Sequence, residues 1–277
     1  MAQPSGDQGE LSPRLVAGAR QALWALDDLG APCPLTRPVR RVVSLVPSLT
    51  ESVASSCPGL LVGATEWCSH PADLVVERVR GTKNPDVRRI IEIAPDVVLC
   101  NQEENRLRDV ERLRDAGIPV WVTRIRTLDE AFRSLRRMFT TVLDVDSPAW
   151  LVEAETAWAA PLSSPVRRAV IPIWRNPWMV VGRDTFTADL AHRLGLDLVH
   201  ADRPDRYPRL DPEELTAGID LAVLPDEPYV FTESDGPDAF PAIPVALVSG
   251  RDLTWYGPSL TTARATLTRQ LAAARPR

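Results

Sequence analysis

The side chains with the clearest potential for chemistry are aromatic rings that stand where expected strands end, beside proline or glycine. Aromatic residues of a core usually lie inside periodic apolar runs instead. Ligands of open α/β sheets bind beyond the carboxyl ends of the strands, and each ring there can bury about 150–250 Å². The rings in such positions are Trp67, Trp174, Trp178, Tyr207, Tyr229 and Trp255. They predict a surface for a large, flat, apolar ligand; the alternative is that they anchor loops to the core.

Polar candidates lie beside these rings. Glu66, Arg175, Arg183 and Glu227 could bind carboxylate, amide or phosphate edges of a ligand, and their alternative role is a solvated surface. Ser48, followed three residues later by a glutamate, has the pattern of a capping box. A helix N-terminus that faces a cleft can also receive a polar ligand group, so Ser48 is a further candidate.

No catalytic or metal-binding constellation emerges. His70 lies two residues from Cys68 and could bind a metal chelate axially, but a lone His-Cys pair is usually structural. No G-x-S-x-G turn and no phosphate-binding glycine loop occurs. Adjacent acids such as Glu103 and Glu104 point about 100° apart on a helix. The sequence therefore predicts no catalytic residue, no metal site and no required cofactor, while enzymatic activity stays open.

Composition excludes several classes of partner. The 277 residues are 44% apolar and carry a net charge of -5 without a basic stripe, so nucleic acid is not expected. No segment approaches the roughly 20 apolar residues of a membrane span. The first forty residues show no signal peptide, and Cys33 follows no apolar run that would make it a lipid anchor. The four cysteines form no C-x-x-C pair, which argues against structural zinc. These features predict a cytoplasmic protein.

Strands alternate with helices of about ten residues along most of the chain, which indicates parallel sheets. Residues 1–39 form an N-terminal extension with one amphipathic helix over 11–29. Residues 40–126 form a first α/β lobe. Residues 127–165 form a helical connector, with helices over 127–139 and from an N-cap at Ser147 to about 160, and residues 166–277 form a second lobe. The expected fold is α/β: two Rossmann-like lobes joined by a helical connector, with a ligand cleft between them. The remaining tryptophans are expected in the core or against helices: Trp24, Trp121, Trp150 and Trp158.

Several motifs resemble one family. Residues 41–51 (RVVSLVPSLTE), 62–71 (VGATEWCSHP), 81–85 (GTKNP) and 93–99 (IAPDVVL) are similar to the first lobe of cobalamin-binding members of the helical-backbone metal receptor family. In the second lobe the matching segments are 173–179 (IWRNPWM), 182–186 (GRDTF), 206–208 (RYP), 224–229 (LPDEPY) and 252–257 (DLTWYG). The resemblance implies a class III substrate-binding protein of an ABC importer, with cobalamin, haem or a siderophore held between two lobes.

The resemblance also implies a docking glutamate on each lobe for the transporter. Glu213 matches the second-lobe position, whereas the first-lobe position falls on Arg88, whose charge would repel an arginine pocket. Together with the missing signal and a short connector, this argues against transporter docking. The predicted function is non-catalytic binding of cobalamin or a related metal chelate. The alternative is a cytosolic member that binds a different small molecule, as an enzyme or accessory factor of a biosynthetic pathway.

Overall fold

An antiparallel hairpin opens the part of the chain that the structure, a computed structural model, describes: residues 21–160 and 166–275. Strand β1 (Gln21–Leu26) pairs with β2 (Pro32–Arg37). Ala25, Cys33 and Leu35 are buried, and their neighbours along the strands are more exposed, which is the period of a strand. The helix expected over 11–29 is therefore wrong for residues 21–26, because strand pairing satisfies this backbone; its first part, 11–20, lies outside the described residues.

The first lobe is built on a five-stranded parallel sheet of order β5-β4-β3-β8-β9. Its central strands are almost wholly buried, as expected for a parallel sheet that carries helices on both faces. The elements in chain order are β3 (Val42–Ser44), α1 (Pro47–Ser56), β4 (Leu61–Ala64), β5 (Glu77–Arg78), a small hairpin of β6 (Arg80–Gly81) and β7 (Asn84–Pro85), α2 (Val87–Ile93), β8 (Val97–Asn101), α3 (Leu107–Asp115) and β9 (Val120–Thr123).

The connector consists of α4 (Leu128–Arg137), one π-helical turn over Met138–Leu143, and α5 (Ala149–Ala159). Thr127 caps α4, since its hydroxyl accepts a hydrogen bond from the Glu130 amide at 3.1 Å. The N-cap expected at Ser147 is wrong: Pro148 occupies that position, and the Ser147 hydroxyl instead accepts from the Arg136 guanidinium at 3.2 Å.

The second lobe contains a four-stranded parallel sheet of order β13-β10-β15-β16 and a three-stranded antiparallel sheet of order β11-β12-β14. Helix α9 packs against α5 of the connector. The elements in chain order are β10 (Arg167–Val170), β11 (Pro172–Trp174), β12 (Trp178–Val180), α6 (Phe186–Arg193), β13 (Leu196–Leu198), β14 (Arg209–Leu210), α7 (Pro212–Thr216), β15 (Leu221–Pro225), β16 (Val245–Val248), α8 (Gly250–Thr254) and α9 (Leu260–Ala272).

One apolar cluster joins the two lobes through the connector. It includes Leu49 of the first lobe, Phe139 of the connector and Leu190 of the second lobe. This arrangement confirms the predicted fold class of two α/β lobes on a helical connector; the division of the chain at residues 126 and 166 stays a proposal. Trp121 and Trp158 are buried as expected, but Trp24 is 74% exposed because it points outward from the hairpin.

Candidate ligand site between the lobes

The loops that follow the parallel strands of the two lobes meet each other, and we call the residues of these loops the interlobe surface. The Ser48 hydroxyl, after β3, accepts a hydrogen bond from the backbone amide of Tyr256 at 3.3 Å. The carboxylate of Glu51 forms an ion pair with Arg251, which follows β16. His70, after β4, presents its ring edge-on to Trp255 with centroids 5.3 Å apart. The carboxyl ends of both sheets therefore face one another, which is where α/β sheets bind ligands.

A second contact between the lobes centres on Glu103, which follows β8. Its carboxylate accepts a hydrogen bond from the Arg206 guanidinium at 2.6 Å and another from the Tyr207 hydroxyl. The Arg206 Nε also donates to the carbonyl of Asp184 at 2.9 Å, which holds the arginine in place. Tyr207, a predicted ligand-binding residue, thus lies at the interlobe surface with its hydroxyl engaged.

Ser48 serves the lobe contact and not the helix cap. Helix α1 begins at Pro47, its N-cap is Val46, and no side chain caps it. The predicted capping box is wrong because the two side chains that would form it bind the second lobe: Ser48 holds the Tyr256 amide, and Glu51 pairs with Arg251. Ser48 is buried in this contact.

Trp67 and Glu66 lie on the loop after β4 with their side chains exposed. The Trp67 ring is 68% exposed. Arg78 anchors the loop beneath it, since its guanidinium donates to the carbonyls of Thr65 at 2.9 Å and Cys68 at 3.0 Å. A Cβ atom on Gly81 would lie only 3.1 Å from the indole nitrogen of Trp67, so the absence of a side chain there makes room for the ring. The loop therefore presents a free aromatic face on a fixed base.

Glu227 and Trp255 form a polar contact within the second lobe. The indole nitrogen of Trp255 donates to the Glu227 carboxylate at 2.9 Å. Burial raises the pKa of Glu227 above its usual value, and the indole hydrogen bond opposes that rise. Trp255 is buried between Glu227 and His70, so it offers a ligand little of its surface.

The other predicted aromatic residues gather at one side of the second lobe. Trp174 is 46% exposed and packs edge-on against Tyr229 with centroids 5.6 Å apart. The Tyr229 hydroxyl donates to Asp235 at 2.6 Å. Trp178, by contrast, is buried and stacks on Phe231. The structure therefore makes Trp178 a core residue, against the prediction of a ligand-facing ring, while Trp174 keeps a free face.

The two predicted arginines already have acidic partners. Arg175 pairs with Asp235 and, at 2.5 Å, with Asp238, so it braces the loop that follows Tyr229. Arg183 lies half-exposed on the loop between β12 and α6, and its nearest carboxylate is that of Asp184 at 3.3 Å. Neither guanidinium is an unpaired cation ready for an anionic ligand.

Sequence reasoning missed the charged residues that bridge the lobes. The sequence predicts Glu51 only as part of a helix cap and Glu103 only as an adjacent acid, and it gives Arg206 and Arg251 no role of their own. A signal existed, because each of these residues lies in the segment that follows a strand of a parallel sheet: β3, β8, β13 and β16. Which acid pairs with which arginine cannot be predicted from local patterns, because Glu51 and Arg251 lie 200 residues apart in the chain.

Metal and membrane features can be assessed for residues 21–160 and 166–275. Within these ranges no group of histidine, cysteine and acidic side chains is arranged to hold a metal ion. The four cysteines are unpaired, and burial raises the pKa of Cys33 to about 12 and that of Cys57 to about 11. No helix in the same ranges combines the length and apolar character needed to cross a membrane.

Two α/β lobes on a helical connector, with aromatic and charged side chains on their facing ends, define the fold of a two-lobed substrate-binding protein. A vitamin B12-binding protein of Pectobacterium carotovorum is 24% identical to the chain over 86% of it and 90% of the relative. The periplasmic vitamin B12-binding protein of Vibrio cholerae superposes with a TM-score of 0.69 at 18% identity, over 85% of this chain and 97% of that one. A periplasmic heme-binding protein of Roseiflexus superposes with a TM-score of 0.70 at 19% identity, over 84% and 98%. No protein-family model matches the chain.

These findings agree with the resemblance inferred from the motifs: the chain is similar in sequence to a vitamin B12-binding protein and shares the two-lobed fold of periplasmic binding proteins. They also correct the predicted location. The structural neighbours are periplasmic proteins, so the cytoplasmic prediction, which rested on the start of the sequence, is wrong.

Proposed function

We propose that this protein binds cobalamin or a closely related metal chelate at the interlobe surface, without reacting with it, and that it does so in the periplasm. The observation that carries the proposal is the pair of exposed tryptophans, Trp67 on the first lobe and Trp174 on the second. Trp67 stands on the loop whose His70 contacts Trp255 of the other lobe, and Trp174 packs on Tyr229, two residues after Glu227, the partner of Trp255. Rings held on fixed loops with free faces cover flat ligands well. The relatives named for vitamin B12 support the choice of ligand.

A binding titration tests this proposal. Purified protein is mixed with cyanocobalamin, and binding is followed by equilibrium dialysis and by quenching of tryptophan fluorescence. Replacing Trp67 by alanine should weaken binding tenfold or more, because a stacked ring is worth about 1–3 kcal/mol. Trp24→Ala is the matched control, since Trp24 is equally exposed but lies on the outer face of the hairpin. Unchanged affinity of Trp67→Ala would place the site elsewhere, and absence of binding to the unmodified protein would refute the proposal.

Transporter docking stays a separate prediction. Glu213 is exposed on α7, and the Arg88 side chain is 90% exposed on α2, where it pairs with Glu92 at 3.1 Å. Both positions are at the surface, so the opposite charge at Arg88 can act on a partner. We therefore keep the expectation that an arginine-lined docking pocket is disfavoured at the first lobe.

A further inference from the structure

The arginines that join the lobes are already paired with carboxylates, Arg206 with Glu103 and Arg251 with Glu51. Elsewhere on the second lobe, Arg175 is paired with Asp235 and Asp238. A ligand carboxylate that bound Arg206 or Arg251 would have to displace a protein carboxylate from its partner.

Other charged groups of this region take part in no ion pair. Among the described residues Glu66 has no ion-pair partner, and the Glu227 carboxylate bonds to the uncharged indole of Trp255. Two cations of this region also lack an ion pair: the Lys83 ammonium donates to the backbone carbonyl of Glu103 and lies near the Glu104 carboxylate, and the Arg78 guanidinium donates to the carbonyls of Thr65 and Cys68. Burial raises the pKa of Glu104, and Lys83 opposes this rise.

The Glu51–Arg251 pair has two unsatisfied polar atoms. One oxygen of Glu51 accepts from Arg251, while the other, Oε2, is buried with no hydrogen-bond partner among the described residues. The Nε atom of Arg251 is likewise buried and unpartnered within the described ranges. The pair therefore has one buried acceptor without a donor, Glu51 Oε2, and one buried donor without an acceptor, Arg251 Nε. Leaving either atom without a hydrogen bond costs free energy.

A primary carboxamide supplies both missing partners, because its NH2 group donates and its carbonyl accepts, and it carries no charge. A carboxylate would satisfy only Arg251 and would add negative charge beside Glu51. The two residues come from opposite lobes, so widening of the gap between the lobes exposes both. We propose that the Glu51–Arg251 pair recognises a carboxamide and that the interlobe surface selects amide-bearing chelates over carboxylate-bearing ones. This inference rests on the proposed function.

Two corrinoids that share a macrocycle test the inference. Dicyanocobinamide carries carboxamide side chains, whereas dicyanocobyrinic acid carries carboxylates at the same places. Equilibrium dialysis against the full chain should show at least tenfold tighter binding of the cobinamide. Equal or tighter binding of the cobyrinic acid would overturn the inference while leaving the proposed function intact. Failure of both corrinoids and of cyanocobalamin to bind would overturn the proposed function and this inference with it.

Substitutions of Glu51 and Arg251 test whether this pair causes the preference for the cobinamide. Glu51→Gln removes the charge that repels carboxylates, so the preference for the cobinamide should fall at least threefold. Arg251→Lys keeps a positive charge but lacks Nε, and it should weaken cobinamide binding. Glu153→Gln, on the exposed side of α5, is the control and should leave the preference unchanged. Thermal unfolding establishes that each variant is folded, and an unchanged preference in folded Glu51→Gln and Arg251→Lys would overturn the assignment.

Discussion

Glu227 shows how one side chain acquires its properties from its surroundings. Its carboxylate accepts a hydrogen bond from Trp255, while burial raises its pKa and the nearby Asp226 adds to that rise. His70 and Arg251 act in the opposite direction. Since burial is the largest effect, the charged form of Glu227 is less stable in the folded protein than in the unfolded chain.

This environment predicts the pH response of Glu227→Gln. A raised folded-state pKa means that stability is lost as the pH rises above the usual range of a glutamic acid, because the unfolded chain ionises first. Glutamine keeps an acceptor for Trp255 without the charge. At pH 7 the variant should therefore be more stable than the unmodified protein, and this gain should disappear near pH 4. Denaturant unfolding between pH 4 and pH 7 measures the difference in the free energy of unfolding. A variant that is less stable than the unmodified protein at pH 7 would contradict this prediction.

The N-terminal hairpin is the element whose role was least expected. Its turn is shaped by Asp27, which accepts from the amides of Leu29 and Ala31, both at 2.9 Å. The amide of Asp28 donates to the Val122 carbonyl at 3.1 Å, so the turn covers the free edge of β9. The Asp28 carboxylate accepts from the Arg124 amide at 3.1 Å and from Arg137 of α4 at 2.5 Å. The hairpin therefore ties the first lobe to the connector.

Removing this tie should destabilise the whole protein. Asp28→Ala deletes charge-assisted hydrogen bonds from the Arg124 amide, Ser134 and Arg137, and should lower the free energy of unfolding by about 2–3 kcal/mol. Asp202→Ala is the control, since Asp202 is exposed and should change stability by no more than about 0.5 kcal/mol. Denaturant unfolding compares them. Equal free energies of unfolding for the two variants would mean that the contacts of Asp28 do not stabilise the folded protein.

At the scale of the whole molecule, the two lobes are held together by a shared apolar cluster and by a few polar contacts across the interlobe surface. The Glu103–Arg206 ion pair is partly exposed, so solvent screens it but does not remove it. The free energy that this ion pair contributes to stability shows whether the two lobes keep this arrangement in solution.

A double-mutant cycle with glutamine at Glu103 and Arg206 should give a coupling energy of about 1 kcal/mol in unfolding experiments. The matched control is the Arg88–Glu92 pair, which lies within one helix and is more exposed, and should give a smaller coupling energy. High salt should reduce both values. A coupling energy of zero for Glu103–Arg206, together with a measurable coupling energy for Arg88–Glu92, would show that the two lobes separate in solution.

Local sequence patterns are enough to predict the alternation of strands and helices and the positions of the loops that end the strands. Buried parallel strands such as β8 and β15 are recognisable as continuous apolar runs, because both faces of the sheet are covered. Aromatic residues beyond these strands marked the end of the fold at which the lobes meet.

Which of those aromatic side chains stay exposed depends on how the elements pack. Trp174 and Trp178 stand four positions apart in one motif, yet the pairing of β11 with β12 exposes the first and buries the second against Phe231. The hairpin over residues 21–37 depends on its docking to β9 and α4, so its local amphipathic pattern misled the helix prediction. The ion pairs between the lobes join residues as far as 200 positions apart. Distances of this kind are set by how the lobes pack, which no local pattern contains.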